Sequence, residues 1–140
     1  MNVNQNRSHA PRTRQEHQTN SYNKNNTQRN DTLIYALGGL GEVGKNMYCF
    51  EHGNEILIVD SGVRFPEEDL LGVDYVIPDY NHLVKNNRKR KVLVITHGHE
   101  DHIGGIPFLL KTVDIEAIYA PAFAVALITK KLEERKMLRG

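Results

Sequence analysis

Cysteine is almost absent: of 140 residues only Cys49 carries a thiol. An internal disulfide is therefore excluded. No stretch of apolar residues reaches the length that spans a bilayer, so a membrane helix is not expected. The first thirty residues lack the apolar core that a signal peptide needs. Net charge is nearly absent too, at +1, but it is unevenly spread. Residues 1–30 hold five Lys or Arg and one Glu, a net of +4, and the remainder holds thirteen basic and sixteen acidic side chains, a net of −3. These features together lead to the expectation of a soluble, cytoplasmic chain with no membrane partner.

The amino-terminal stretch also has almost no apolar side chains. Eight of its thirty residues are Asn and four are Gln. Such a composition buries too little surface to offset the entropy of ordering, so residues 1–31 are expected to be a disordered, basic tail. Its positive charge could add salt-sensitive affinity for nucleic acid, or simply keep the chain in solution. His9 and His17 lie in this tail and are given no metal role.

From residue 32 the pattern is globular, and one domain is expected over 32–140. Strands are expected at Thr32–Leu37, Asn46–Glu51, Glu55–Asp60, Tyr75–Ile77, Val92–Thr96 and Ala117–Ala120. His52-Gly53-Asn54 reads as the turn of an antiparallel hairpin. Helices are expected at Tyr80–Asn86, from about Pro107 to Lys111, and from Pro121 to about Lys136. In the last of these, Phe123, Val125, Leu127, Ile128 and Leu132 supply the apolar spacing. Strands alternating with helices after residue 74 give an α/β layered fold. The basic run Arg88-Lys89-Arg90-Lys91 reads as a solvated turn, with phosphate contact as the alternative.

What the chain does have is Thr96-His-Gly-His-Glu-Asp-His-Ile-Gly-Gly105, directly after an apolar strand. His97, His99, Asp101 and His102 are four metal-competent side chains within six residues. Imidazole and carboxylate suit zinc and similar divalent ions. His97 and His99 are two apart, so an extended backbone points them the same way. Asp101 and His102 follow where the chain must turn. One pair can serve one ion and the second pair a neighbouring ion. Asp60 ends an earlier apolar strand and is followed by Ser61-Gly62. If the two strands are neighbours, its carboxylate can accept an N–H from a liganding imidazole and fix the tautomer. A turn-forming Asp is the alternative.

Gly39-Leu-Gly41-Glu-Val-Gly44 imitates a dinucleotide-binding fingerprint, with Asp60 ending the next strand. Extended to Lys45 it also imitates a phosphate-binding loop, except that Asn46 stands where Ser or Thr is required. Both motifs need a helix immediately after the glycines. Met47-Tyr48-Cys49-Phe50 is strand-like instead, and no crossover helix fits before Asp60. The stretch is better read as a tightly turned loop at the rim of a site.

Thr96–His102 resembles the metal-binding signature of the metallo-β-lactamase superfamily, and Asp60 its upstream Asp motif. Ala36–Asn46, Phe65–Asp74, Val76–Asp79 and His102–Pro107 narrow the likeness to bacterial ribonuclease J, over residues 32–140. The resemblance implies the amino-terminal part of an αββα sandwich, with a β-CASP domain and a C-terminal domain absent from this chain. It implies an RNA-degrading enzyme with 5′-to-3′ exonuclease and endonuclease activity, acting in mRNA turnover and rRNA maturation. Two zinc ions would be held, one by His97 and His99 and the other by Asp101 and His102, with Asp101 also positioning the nucleophile. RNA is the implied partner, alongside homo- or hetero-oligomers with full-length paralogues. The family's later histidine motifs are missing, since no His follows His102. The expectation is a truncated chain, inactive alone. Two other classes stay open: a hydrolase of a small thioester or lactam on the same fold, and a non-catalytic piece that binds RNA or a partner subunit.

Because the tail offers no apolar surface, deleting residues 1–30 is expected to leave the melting temperature of residues 31–140 unchanged. Thermal melts of the two chains check this; a clear fall on deletion contradicts it.

Overall fold

The computed structural model describes residues 31–68 and 70–138. The expectation of a disordered tail over residues 1–30 lies outside them. Five strands form one mixed sheet in sequence order. They are β1 (Thr32–Gly38), β2 (Met47–His52), β3 (Glu55–Val59), β4 (Arg90–Val94) and β5 (Ala117–Tyr119). The first three run antiparallel, with the tight β2–β3 hairpin closing at Gly53-Asn54. The β3–β4 and β4–β5 pairs are parallel, so β3, β4 and β5 all end on the same edge. The helices are α1 (Asn81–Lys85), α2 (Glu100–Ile103), α3 (Ile106–Thr112) and α4 (Ala122–Glu134).

Period-two alternation decides which sheet face is covered. Tyr35, Cys49, Ile58, Leu93 and Ile118 are register partners on one face. They pack with Leu83 of α1, Ile103 of α2, Ile106 and Leu109 of α3, and Ala124, Ile128 and Leu132 of α4. The Cys49 thiol lies in this core, and burial pushes its pKa up to about 12. The opposite face carries Ile34, Phe50, Leu57, Val92 and Ala117 in register across all five strands. Ile34, Phe50 and Leu57 of that row are exposed. An apolar face of this kind is what a second layer covers. The described residues thus form one helix layer on one sheet, the α/β half-sandwich expected. Among them no helix is long and apolar enough to cross a membrane.

Several expectations need correction. Tyr75–Ile77 is no strand but one isolated bridge between Val76 and Arg64. Pro78, which has no N–H to donate, stops the ladder there. On α4 the buried stripe is Ala124, Ile128 and Leu132, four residues apart, while Phe123 is 75% and Val125 47% exposed. Both lie beside the stripe rather than on it. The turn expected at Asp101-His102 is one turn of helix, α2. Its short span between glycine-bearing segments carries too little apolar periodicity to reveal it.

The basic run is only in part the solvated turn expected: Arg88 is exposed in the turn over residues 86–88, but the three residues after it are engaged by the protein. Arg90 bonds Glu116 at 2.8 and 2.7 Å and Glu55 at 3.1 Å. Lys91 is 2% exposed, and its ammonium donates to the carbonyls of Asn86 and Lys89 at 2.6 and 2.8 Å. Lys89 pairs with Glu51, a buried carboxylate that also receives the Tyr35 hydroxyl and His82 Nε2, each at 2.9 Å. Burial alone would raise the pKa of Glu51. The bonds from Lys89, His82 and Tyr35 outweigh burial and hold it at about 2.

A folded-state pKa below the ordinary 4.5 gives stability that is complete above that value and is lost as pH falls toward about 2. Glu51→Gln should therefore lower the melting temperature at pH 7 and flatten its fall between about pH 4.5 and 2. Melts of both chains across that window test this; identical acid limbs would contradict it.

Candidate metal centre

Adjacent parallel strands bring the expected residues together. Asp60 follows β3 and Thr96-His97 follow β4, both at the carboxyl edge of the sheet. Asp60 has φ +62°, in the left-handed region that a short polar side chain tolerates. Its N–H still bonds Val94 O at 2.9 Å, so the chain bends only after joining β4. The bend leaves the carboxylate buried beneath the histidine loop.

That carboxylate makes three bonds. Oδ1 accepts the Thr96 N–H at 2.8 Å, and Oδ2 accepts the Thr96 hydroxyl at 2.8 Å. Oδ2 also meets His102 Nδ1 at 2.7 Å. A carboxylate only accepts, so the proton sits on Nδ1 of His102 and the lone pair on Nε2. Thr96 Oγ1, its proton given to Asp60, lies 3.0 Å from His97 Nδ1 and accepts from it. Asp60 therefore fixes two imidazoles, His102 directly and His97 through Thr96, and leaves Nε2 of each as a donor atom. The contact between Asp60 and an imidazole that the sequence suggested is present, at His102. Thr96 opens the signature-like stretch, but its contact with Asp60 is not foreseen by the sequence, where a hydroxyl directly before the first histidine is the one signal.

His97 Nε2 faces His99 Nδ1 at 3.2 Å. His102 Nε2 lies 3.4 Å from Asp101 Oδ2. The ring centroids of His97 and His102 are 4.0 Å apart, so the two pairs adjoin. The structure brings together all four residues singled out in the sequence, as two pairs. Among the described residues no three His, Cys, Asp or Glu side chains are arranged to hold one ion. The donor types fit zinc, while each pair by itself falls short of the three ligands that a catalytic zinc site usually takes from the protein.

A backbone strap holds this loop in place. Ser61 N donates to His102 O at 2.8 Å, Gly105 N to Ser61 O at 2.8 Å, and Val63 N to Glu100 O at 3.2 Å. A Cβ on Gly62 would collide with the carbonyl oxygen of Asp101, so only glycine allows this approach. Gly98 presses against Leu127 and Ala124 of α4. Lys131 of α4 pairs with Glu100 at 2.8 Å. The loop is thus braced from the strap on one side and α4 on the other.

Comparison with known proteins agrees with this geometry. Residues 40–140 match the family model described as the metallo-beta-lactamase superfamily. Ribonuclease J 1 of Streptococcus pyogenes is 61% identical over 110 residues, 79% of this chain and 20% of that protein. Ribonuclease J of Mycoplasma genitalium is 58% identical over 105 residues, 75% of this chain and 18% of its own length. Ribonuclease J of Thermus thermophilus is 46% identical over 105 residues, covering 72% and 18%. The chain therefore spans about a fifth of the length of these curated relatives. A family match over most of the chain, on a half-sandwich whose strand ends gather Asp60, His97, His99, Asp101 and His102, makes this chain a member of the metallo-β-lactamase superfamily.

Proposed function

We propose that this chain is the amino-terminal, metal-binding portion of a zinc-dependent ribonuclease of the ribonuclease J type, with RNA as its partner. The observation that carries the proposal is the Asp60 carboxylate under the histidine loop. It leaves donor nitrogens on His97 and His102, with His99 Nδ1 and Asp101 Oδ2 beside them. Likeness to proteins named ribonuclease J favours RNA over a thioester or lactam as the substrate class.

His97 and His99 would hold one zinc, Asp101 and His102 the other. When bound, such a pair of ions lowers the pKa of water and offsets charge on a phosphodiester. The chain's own residues do the rest. Asp60 keeps the imidazoles in the tautomer that leaves the lone pair on Nε2. Asp101 orients the attacking water through its carboxylate, which is 41% exposed and so reachable from solvent. Water as the nucleophile leaves the ribose 2′-hydroxyl unused, and the products carry 5′-phosphate and 3′-hydroxyl ends. In this proposal the enzyme cuts both from 5′ ends and internally, in mRNA turnover and rRNA maturation in the cytoplasm. Homo- or hetero-oligomers with full-length paralogues belong to the same proposal.

Four donors shared between two ions predict weak zinc binding by the 140-residue chain. Isothermal titration should show shallow, incomplete binding, and two tight, saturable sites would contradict the assignment. In a chimera completed with the remainder of a ribonuclease J relative, RNA cleavage from a 5′-monophosphate end should return and require metal. His99→Ala and Asp101→Ala should each cut that activity by more than about 100-fold, since even partners outside the ligand set are worth roughly 10–100-fold. Full activity in either variant overturns the two-ion assignment.

A further inference from the structure

The glycine-rich stretch fits neither nucleotide motif, because β2 follows it directly. It is nevertheless built with care. Gly39, Gly41 and Gly44 have φ of +82°, +70° and +94°. Lys45, which has a Cβ, is also left-handed at φ +50°. A lysine there is strained, and strain persists only where the surroundings impose it. Here Lys45 N donates to Val63 O at 3.0 Å, and the Lys45 ammonium pairs with Glu42 at 3.1 Å. The outcome of the contortion is the position of the next residue, Asn46.

Asn46 is fastened by three bonds to Asp101 of the metal-competent loop and by one to Gly62 of the strap. Its N–H donates to Asp101 O at 3.1 Å, and its carbonyl accepts Gly62 N–H at 3.0 Å. Its side-chain Nδ2 donates to Asp101 O at 3.0 Å and to Asp101 Oδ2 at 3.1 Å. The same Nδ2 lies 3.3 Å from His102 Nε2. A Cβ on Gly39 would stand 2.5 Å from Asn46 Oδ1, and a Cβ on Gly38 would strike the Lys45 carbonyl. Gly39 thus clears the seat that this side chain occupies, while Gly38 and Gly62 allow the close approach of the Lys45 and Asp101 carbonyls on either side of it. An amide suits the seat because it offers a proton to the Asp101 carboxylate without adding charge. A serine is too short to reach, and an aspartate would set a second anion against the first.

We propose that Asn46 is a positioning residue for Asp101, and that the glycine-rich loop exists to seat it. Asn46 holds one carboxylate oxygen of Asp101 and so sets how the group faces His102 Nε2. It acts through Asp101 and touches no substrate. The inference rests on the reading of Asp101 and His102 as ligands, and it adds a residue outside the histidine motif to that site.

Zinc and cobalt(II) titrations of the 140-residue chain test it, with the cobalt absorption spectrum as the report on ligand geometry. Asn46→Ala should weaken binding by about 10–100-fold, the range for a lost partner of a ligand, and alter the cobalt spectrum. Asn46→Leu, which keeps the branched shape without the donor, should do the same and carries the test if the alanine variant does not fold. Gly39→Ala should also weaken binding, because it displaces Asn46 Oδ1. In an Asn46→Ala background it should cost no further affinity, since the two changes disturb one contact. Wild-type affinity and spectrum in both Asn46 variants would overturn the proposal while leaving the metal site standing. Additive losses from Gly39→Ala and Asn46→Ala would overturn it as well. If the wild-type chain takes up neither ion and His99→Ala changes nothing, the metal reading falls and this inference falls with it.

Discussion

The bonds from the Asp60 carboxylate to Thr96 and His102 are the constraint on which the site depends. They form because β3 and β4 are adjacent and parallel, so that the residues following each strand meet at one edge. A buried carboxylate with fewer partners would carry a large desolvation cost. Here three bonds satisfy it, and in doing so they orient two imidazoles. The same group is therefore both a structural tie between strand ends and the device that frees donor nitrogens.

The opposite edge of the sheet carries its own polar anchor. Glu51 collects Lys89, His82 and Tyr35, while the Lys91 ammonium is satisfied by two carbonyls. These groups tie α1 and Lys89 to β2, and the turn after α1 to the start of β4. With β4 fixed at its beginning by this cluster and at its end by Asp60, the loop that follows has a defined origin. The helices cover one face only, and the row from Ile34 to Ala117 stays open on the other. The described residues of this chain, which matches about a fifth of its relatives' length, hold the metal-competent loop and two layers, one sheet and one set of helices.

Much of this was legible in the residues. Val92–Thr96 is apolar and β-branched, and His97-x-His99 after it needs only an extended backbone to be recognised. Asp60 was legible because an acidic residue ending an apolar strand is unusual unless a partner awaits it. In the basic run the exposed turn at Arg88 was legible, but the pairing of Lys89 and Arg90 was not, since their partners Glu51, Glu55 and Glu116 come from three distant segments. Phe123 and Val125 misled because apolar character alone does not say which stripe of a helix faces the core. Thr96 and Asn46 were invisible as site residues for a similar reason. Their importance lies in contacts to Asp60 and Asp101, 36 and 55 residues away along the chain.

The most direct test of the Asp60 assignment is zinc affinity and stoichiometry in Asp60→Asn. An asparagine keeps the shape but can turn an N–H toward His102 Nδ1, so the tautomer is no longer imposed. The account predicts unchanged stoichiometry with affinity lowered by about 10–100-fold. Wild-type affinity would show that the imidazoles need no such partner, and complete loss of metal would make Asp60 itself a ligand.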